Sequence, residues 1–537
     1  MQEIRDPFMK FRNLLLISFT FLPVIMNAQK KEIVAFFPEW RGKGEHPYYV
    51  KDIEKRNSAD KITVLNYAFI IPGPDSTGKI IPQFIDTNLA YIQQYKQEIS
   101  IDGVADDSSL VLRGQFNQLK KLKQRYQNLK ILLSLGGWEG SRYFSDAALT
   151  PASREVFVSA CIDRFINGNL PLINGAGGKG SAAGIFDGFD IDWEYPVKGG
   201  AEIHHNHDDK SNLSKLIALF RSKLDSINPA YILTETVPAI EKYARYYNIY
   251  HDQQYLDWYN LTTYDFHGSW DTATGHNSNL LSPPVDTTAE GEVNSFDKTV
   301  RLFNCIYGVS KSKLVPGAAF FGKGWKDVDT ANYGLGMKGS VAKSLTEEGY
   351  NYFSDLTDLL RKGFKLHWDN NTMAPYLYNP GEKIFWTFDN AKSIALKALY
   401  VNTYDLRGIM FWEITGDDSL GTLVNTIYTR KMPEVKIKPD KKRLSLPEIK
   451  ITSPLPSDWI NSGTNVIIQI SFPDTTRIIT KVEYFGDKNS LGYDTEAPFS
   501  WVWFNIPEGD HTIKVIAYNS NGRKKESRQV KILVRKR

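Results

Sequence analysis

Between Asp187 and Pro196 the chain reads Asp-Gly-Phe-Asp-Ile-Asp-Trp-Glu-Tyr-Pro, with acids at every second position from Asp190 through Asp192 to Glu194. In an extended strand, alternate side chains share a face. The three acids then point one way, and Phe189, Ile191 and Trp193 the other. Backbones two residues apart lie roughly 7 Å from one another, close enough for the carboxyl groups to titrate as a coupled set. Neighbouring carboxylates on a mostly apolar strand cannot all ionise cheaply, so some must hold protons, pair or hydrogen-bond. A solvated acidic loop would not need the interleaved aromatic and aliphatic residues. A magnesium or calcium site is the second alternative, but no Asx-rich calcium loop surrounds the segment. Acid–base catalysis is the chemistry the pattern favours, with Glu194 as proton donor and Asp192 as its modulator. Asp190 lies deeper and is expected to share a proton with Asp192. Asp187 has the opposite parity and is expected to tie the strand to its neighbours, as a structural residue near the site.

These ten residues resemble the signature of glycoside hydrolase family 18, the chitinases, whose pattern is Asp-x-x-Asp-x-Asp-x-Glu. Asp187, Asp190, Asp192 and Glu194 fill all four positions. The resemblance implies hydrolysis of β-1,4 linkages between N-acetylglucosamine units, with no cofactor and no metal. It also implies that the substrate's own acetamido group, not Asp192, attacks the anomeric carbon, with retention of configuration. Ser134-Leu-Gly136-Gly137 resembles the family's third-strand motif, and Tyr264-Asp265-Phe-His-Gly-Ser-Trp270 its sixth-strand motif. Tyr264 would donate to the acetamido oxygen and Asp265 would support the sugar at the cleavage point. Trp412 would be the floor beneath that sugar. Phe36, Trp40, Phe69, Trp138 and Trp270 match aromatic positions lining the groove. Two departures stand out: Thr262 replaces the usual Met two residues before the Tyr, and Phe36 stands where Tyr is frequent. The family also implies two alternatives, an endo-β-N-acetylglucosaminidase acting on N-glycans and a non-catalytic chitin-binding lectin. The lectins have usually lost the acid that Glu194 supplies.

Such groups must be held by strands and helices, and both patterns are visible. Strand-like runs occur at 32–37, 62–69, 131–135, 187–196, 232–237, 260–264, 314–320 and 408–414. Between them, Phe116, Leu119, Leu122 and Tyr126 fall at helical spacing, as do Leu213, Leu216, Ile217, Phe220 and Leu224. Helical patterns also cover 157–165, 300–307 and 391–400. Apolar strands separated by helices imply a parallel sheet covered on its outside. Eight such units predict an α/β fold, a (β/α)8 TIM barrel with active groups at the carboxyl ends of its strands. The segment 326–381 resembles a small α+β insertion domain between strands 7 and 8. Segments 100–109 and 169–183 read as loops.

The length of 537 residues suggests two or three domains. With 65 basic against 61 acidic side chains the net charge is only +4, which argues against a nucleic-acid partner. Lys10 and Arg12 precede an apolar run from Leu14 to Met26, the pattern of a cleaved leader over 1–28. The expectation is a secreted protein, periplasmic or extracellular, with no membrane span, acting as a monomer on chitin or chitooligosaccharides. Cys161 and Cys305 are the only cysteines and both are expected as buried thiols.

The catalytic unit is expected over 29–430 and a Pro- and Lys-rich linker over 431–447. Short alternating runs over 448–537 predict a C-terminal β-sandwich resembling bacterial immunoglobulin-like modules. Within it Trp459, Trp501 and Trp503 could meet sugar, although packing is the commoner use of such residues.

Overall fold

The computed structural model describes residues 31–536 apart from 45, 202, 284–293, 345–346, 433–445, 447, 457, 473–478, 496 and 520–521. The leader and most of the linker lie outside the described residues. Eight parallel strands close into a barrel: β1 (Glu32–Pro38), β2 (Val64–Pro74), β3 (Lys130–Gly136), β4 (Gly188–Asp192), β5 (Ile232–Pro238), β6 (Trp258–Thr262), β7 (Leu314–Ala319) and β8 (Gly408–Trp412). Each pairs with the next in sequence, and β1 pairs with both β2 and β8, which closes the ring.

The strands are buried on both faces, which is why they read as apolar runs rather than alternating ones. Outside β4, Phe189 and Ile191 pack against the helical layer, with Phe189 5.4 Å from Phe220 on the helix Asp209–Ile227. Leu213, Leu216, Ile217, Phe220 and Leu224 are all buried on that helix, as their spacing requires. Within the barrel, Val34, Phe36, Val64, Ala68, Val315 and Met410 form an apolar half. The other half, over β3 to β6, carries Ser134, Asp190, Asp192, Thr234, Thr236 and Asn260.

β4 is shorter than the acidic segment. It ends at Asp192, so Trp193 and Glu194 lie beyond the last paired residue rather than on the strand. The segment 169–183 is not wholly loop, because Leu170–Ile173 and Ala176–Gly178 pair as a short hairpin. Cys161 is buried but Cys305 is exposed, and both are free thiols.

The insertion is wider than expected. Its sheet starts with Phe321–Lys326, two residues past β7, and ends with Ile384–Phe388, after which the helix Ala391–Thr403 leads into β8. Past the barrel, a three-stranded sheet and a six-stranded sheet form the sandwich. Trp501 is buried there against Tyr484, whereas Trp459 is exposed. The sandwich touches the barrel side through a fully buried ion pair, Lys392 Nζ to Asp494 Oδ2 at 2.6 Å. The Lys392 ammonium also lies 4.0 Å from the Trp368 ring centre. Two polar contacts flank it: Tyr404 hydroxyl to Asn465 Oδ1 at 3.0 Å, and Ser500 Oγ to Asn370 Oδ1 at 2.8 Å. No described helix is long and apolar enough to cross a membrane.

Candidate active site

Asp190 is fully buried, and its hydrogen bonds come from three other strands. Ser134 Oγ on β3 donates to Oδ2 at 2.7 Å, Thr234 Oγ1 on β5 to Oδ1 at 2.6 Å, and Asn260 Nδ2 on β6 to Oδ1 at 2.9 Å. Thr236 Oγ1 reaches Oδ2 at 3.0 Å. The parallel register sets Ser134, Asp190 and Thr234 side by side, so these contacts follow from strand alignment. Burial still pushes the Asp190 carboxyl up, against the opposing pull of its donors. Both Asp190 oxygens face protein donors, from Ser134, Thr234, Thr236 and Asn260.

Asp192 contrasts with it. It is nearly buried, yet Oδ1 has no hydrogen-bond partner among the described residues. Burial, then the charges of Glu194 and Asp190, hold its carboxyl well above the usual range. Glu194 is half-buried at the carboxyl end of the barrel. Burial raises its pKa to about 7; a hydrogen bond with Tyr195 opposes this and Asp265 adds to it. Burial thus favours the protonated form of both carboxyls, and Glu194 is the one whose pKa reaches about 7, as a general acid needs.

The chain past β4 is fixed by local contacts. Gly137 N donates to Asp192 O at 2.8 Å, Glu194 N to Ser141 Oγ at 2.9 Å, and Ser141 Oγ to Gly137 O at 2.8 Å. Gly136 has φ +108°, and a Cβ there would fall 2.3 Å from Asp192 O, so only glycine fits. The Tyr195 ring stacks on Tyr243 at 4.6 Å.

Tyr264 stands just beyond β6. Its hydroxyl is pushed well above its ordinary range by burial and then by Asp192, so it remains a donor. Its ring packs edge-on to Phe321, and its hydroxyl lies 3.8 Å from Met410 Sδ. Met410, on β8, thus puts a thioether beneath Tyr264, while Thr262 Oγ1 turns to Val237 O at 3.4 Å. Asp265 Oδ1 is 3.2 Å from Lys323 Nζ, a residue of the insertion's first strand. The sequence reading passed over Lys323, Met410, Thr234, Thr236 and Asn260. The polar pair Thr234-x-Thr236 in an apolar strand was the available signal, since its period of two aims both hydroxyls inward.

The aromatic residues divide into two sets. Trp138 and Trp270 are more than half exposed and Trp40 is 36% exposed. Phe36 and Phe69 are not free groove-lining rings: they are 1% and 7% exposed. Phe69 stacks flat on Trp412 at 5.8 Å, and Phe36 tilts against it at 5.7 Å. They orient Trp412 from behind. Asp187 is not near these groups. It sits at the amino end of β4, where it accepts from Ile131 N at 2.9 Å and pairs with Lys123 at 2.7 Å.

The model for glycosyl hydrolases family 18 matches residues 32–417, and one for a bacterial Ig domain matches 447–515. Chitinase A1 of Niallia circulans is 31% identical over 435 residues, covering 74% of this chain and 58% of that protein. Chitinase C of Streptomyces lividans is 31% identical over 397 residues, covering 72% and 58%. The chain therefore spans just under three fifths of the length of these curated relatives. Among solved structures, the catalytic domain of a psychrophilic chitinase B from Arthrobacter TAD20 superposes with TM-score 0.70 at 32% identity, over 75% of this chain and 95% of that one. A family 18 N-acetylglucosaminidase from Paenibacillus barengoltzii gives 0.56 at 28% identity, over 74% and 99%.

Proposed function

Because this chain belongs to glycosyl hydrolase family 18, we propose that it is a chitinase, cleaving β-1,4 linkages between N-acetylglucosamine units of chitin or chitooligosaccharides. The observation that carries the reading is the pairing of a Glu194 acid that keeps its proton to about pH 7 with an Asp192 oxygen that lacks a donor. Glu194 gives its proton to the glycosidic oxygen as the bond to the anomeric carbon breaks. The substrate's own acetamido carbonyl oxygen closes on that carbon, forming a cyclic oxazolinium ion. The unpartnered Asp192 oxygen accepts the acetamido N–H, and the Tyr264 hydroxyl donates to the acetamido oxygen. Glu194, now a carboxylate, takes a proton from water as the water opens the ring from the face the leaving group left, so configuration is retained. Trp412 lies under the reacting sugar, and Trp138, Trp270 and Trp40 carry neighbouring units on their exposed faces. A sugar-binding protein without catalysis would have no need of the protonated Glu194.

The proposed organisation is a leader over 1–28 that directs export, a catalytic unit over 29–430, a linker over 431–447 and an immunoglobulin-like module over 448–537. The enzyme acts as a monomer. Glu194→Gln tests the assignment: it should keep chitooligosaccharide binding and lose turnover by about two to four orders of magnitude. Unchanged turnover would remove Glu194 from its role. Cleavage of fully deacetylated chitosan as fast as chitin would remove the acetamido step.

A further inference from the structure

A column of rings crosses the insertion sheet away from the catalytic acids. At its base Trp325 and Phe385 are buried with ring centres 6.0 Å apart. Tyr376 stacks on Phe385 at 5.1 Å, His367 on Tyr376 at 5.1 Å, and Tyr333 on His367 at 4.6 Å. The column ends at the surface, where Tyr333 is 62% exposed. One face of its ring is backed by His367 and the other is open to solvent.

The backbone around this ring is unusual. Asn332 and Tyr333 are consecutive left-handed residues, with φ 47° and 51°. A bulky side chain adopts that conformation only at a cost, and an exposed ring recovers little of it through packing. The placement of the ring therefore calls for a reason beyond the fold.

Position supplies one. The Tyr333 loop is laced to the loop that follows β6. Thr274 N donates to Met337 O at 2.9 Å, Gly336 N to Thr274 O at 3.2 Å, and Gly339 N to Thr272 O at 3.0 Å. The Thr274 hydroxyl donates to Gly334 O, beside Tyr333, at 2.5 Å. Trp270 is exposed on this same loop, four residues before Thr274, a span of at most ~14 Å of extended chain. The two exposed rings are thus carried on segments hydrogen-bonded to each other. Burial, then neighbouring Lys365, keeps the His367 imidazole below its usual pKa, so the column is uncharged at neutral pH, as suits a neutral sugar polymer.

We propose that Tyr333, backed by His367, is a stacking platform for a chain of N-acetylglucosamine units that continues past Trp270. This rests on the substrate reading given under Proposed function. The test compares chitin binding by full-length Glu194→Gln protein with that of the same protein carrying Tyr333→Ala or Tyr333→Phe, alongside hydrolysis of a short soluble oligosaccharide by the single Tyr333 variants. Tyr333→Ala should weaken binding to insoluble chitin about threefold to tenfold, the range of one ring-stacking contact. Tyr333→Phe should keep binding, and both single variants should cleave the short substrate like the unsubstituted enzyme. Unchanged chitin binding by the Ala variant, or equal loss in the Phe variant, overturns the platform. A change in sedimentation in place of chitin binding would assign the face to self-association and also overturn it. If Glu194→Gln protein fails to bind chitin at all, the substrate reading itself falls and takes the platform with it.

Discussion

The Lys323 ammonium stands 3.2 Å from Asp265 Oδ1 and 5.2–5.3 Å from the ring centres of Trp270, Phe321 and Tyr350. The insertion thereby supplies the counter-charge to an acid that itself raises the Glu194 pKa. In the proposed mechanism Glu194 donates only when protonated, so activity should fall as pH rises through about 7. Lys323→Met leaves the Asp265 charge uncompensated and should move this alkaline limb to higher pH. Asp265→Asn should move it to lower pH. The profile of kcat against pH on a soluble chitooligosaccharide checks both, and limbs that stay fixed in both variants would contradict the coupling.

Asp190 takes bonds from four side chains, and Ser134→Ala removes one of them. A buried acceptor that loses a donor should cost about 1–3 kcal/mol of stability, read from urea unfolding. Ser134→Cys, which restores only a weak donor, should recover little of it.

At the junction with the sandwich, Asp494→Asn leaves the Lys392 ammonium buried with no counter-charge. Breaking such a pair from one side should destabilise by about 3–5 kcal/mol. Adding Lys392→Met removes the stranded charge and should recover much of the loss. Thermal melts of both variants measure this, and a double variant no better than the single would refute the electrostatic account.

Glu235, on β5, is 1% exposed, and neither of its carboxylate oxygens has a hydrogen-bond partner among the described residues. Burial, then Asp252 and Asp190, hold its carboxyl well above the usual range. The folded chain therefore keeps a proton that the unfolded chain releases above the ordinary glutamate pKa of about 4.3. The sign follows: stability is full below that pH and declines by about 1.4 kcal/mol per unit as pH rises toward the folded pKa. Glu235→Gln should flatten this decline, seen as a smaller difference in urea midpoint between pH 5 and pH 8 than in the unsubstituted protein.

The barrel was legible because most of its strands are compact apolar runs and its helices carry apolar residues at helical spacing, although two of them pass into π-helical turns at Ile162–Ile166 and Leu302–Ile306. The acidic row was legible because a period of two needs no partner to be recognised. What could not be read locally is what other strands bring. Thr234, Thr236 and Asn260 reach Asp190 only once the register is known, and Lys323 reaches Asp265 only once the insertion folds back over β6. Phe36 and Phe69 carry the same chemistry as an open sugar platform. Their burial depends on Trp412, which arrives more than 340 residues later. β4 ends at Asp192, short of the strand-like run to 196, because alternation continues through Trp193 and Glu194 after pairing has stopped.

One carboxylate fastens four staves of the barrel together, since Asp190 on β4 is gripped from β3, β5 and β6 at once. Heat that parts these staves strips the acid row of its scaffold in the same event. Loss of turnover on warming should therefore track melting of the barrel and not precede it, so that this half of the cylinder sets the upper working temperature of the chemistry as well as of the fold.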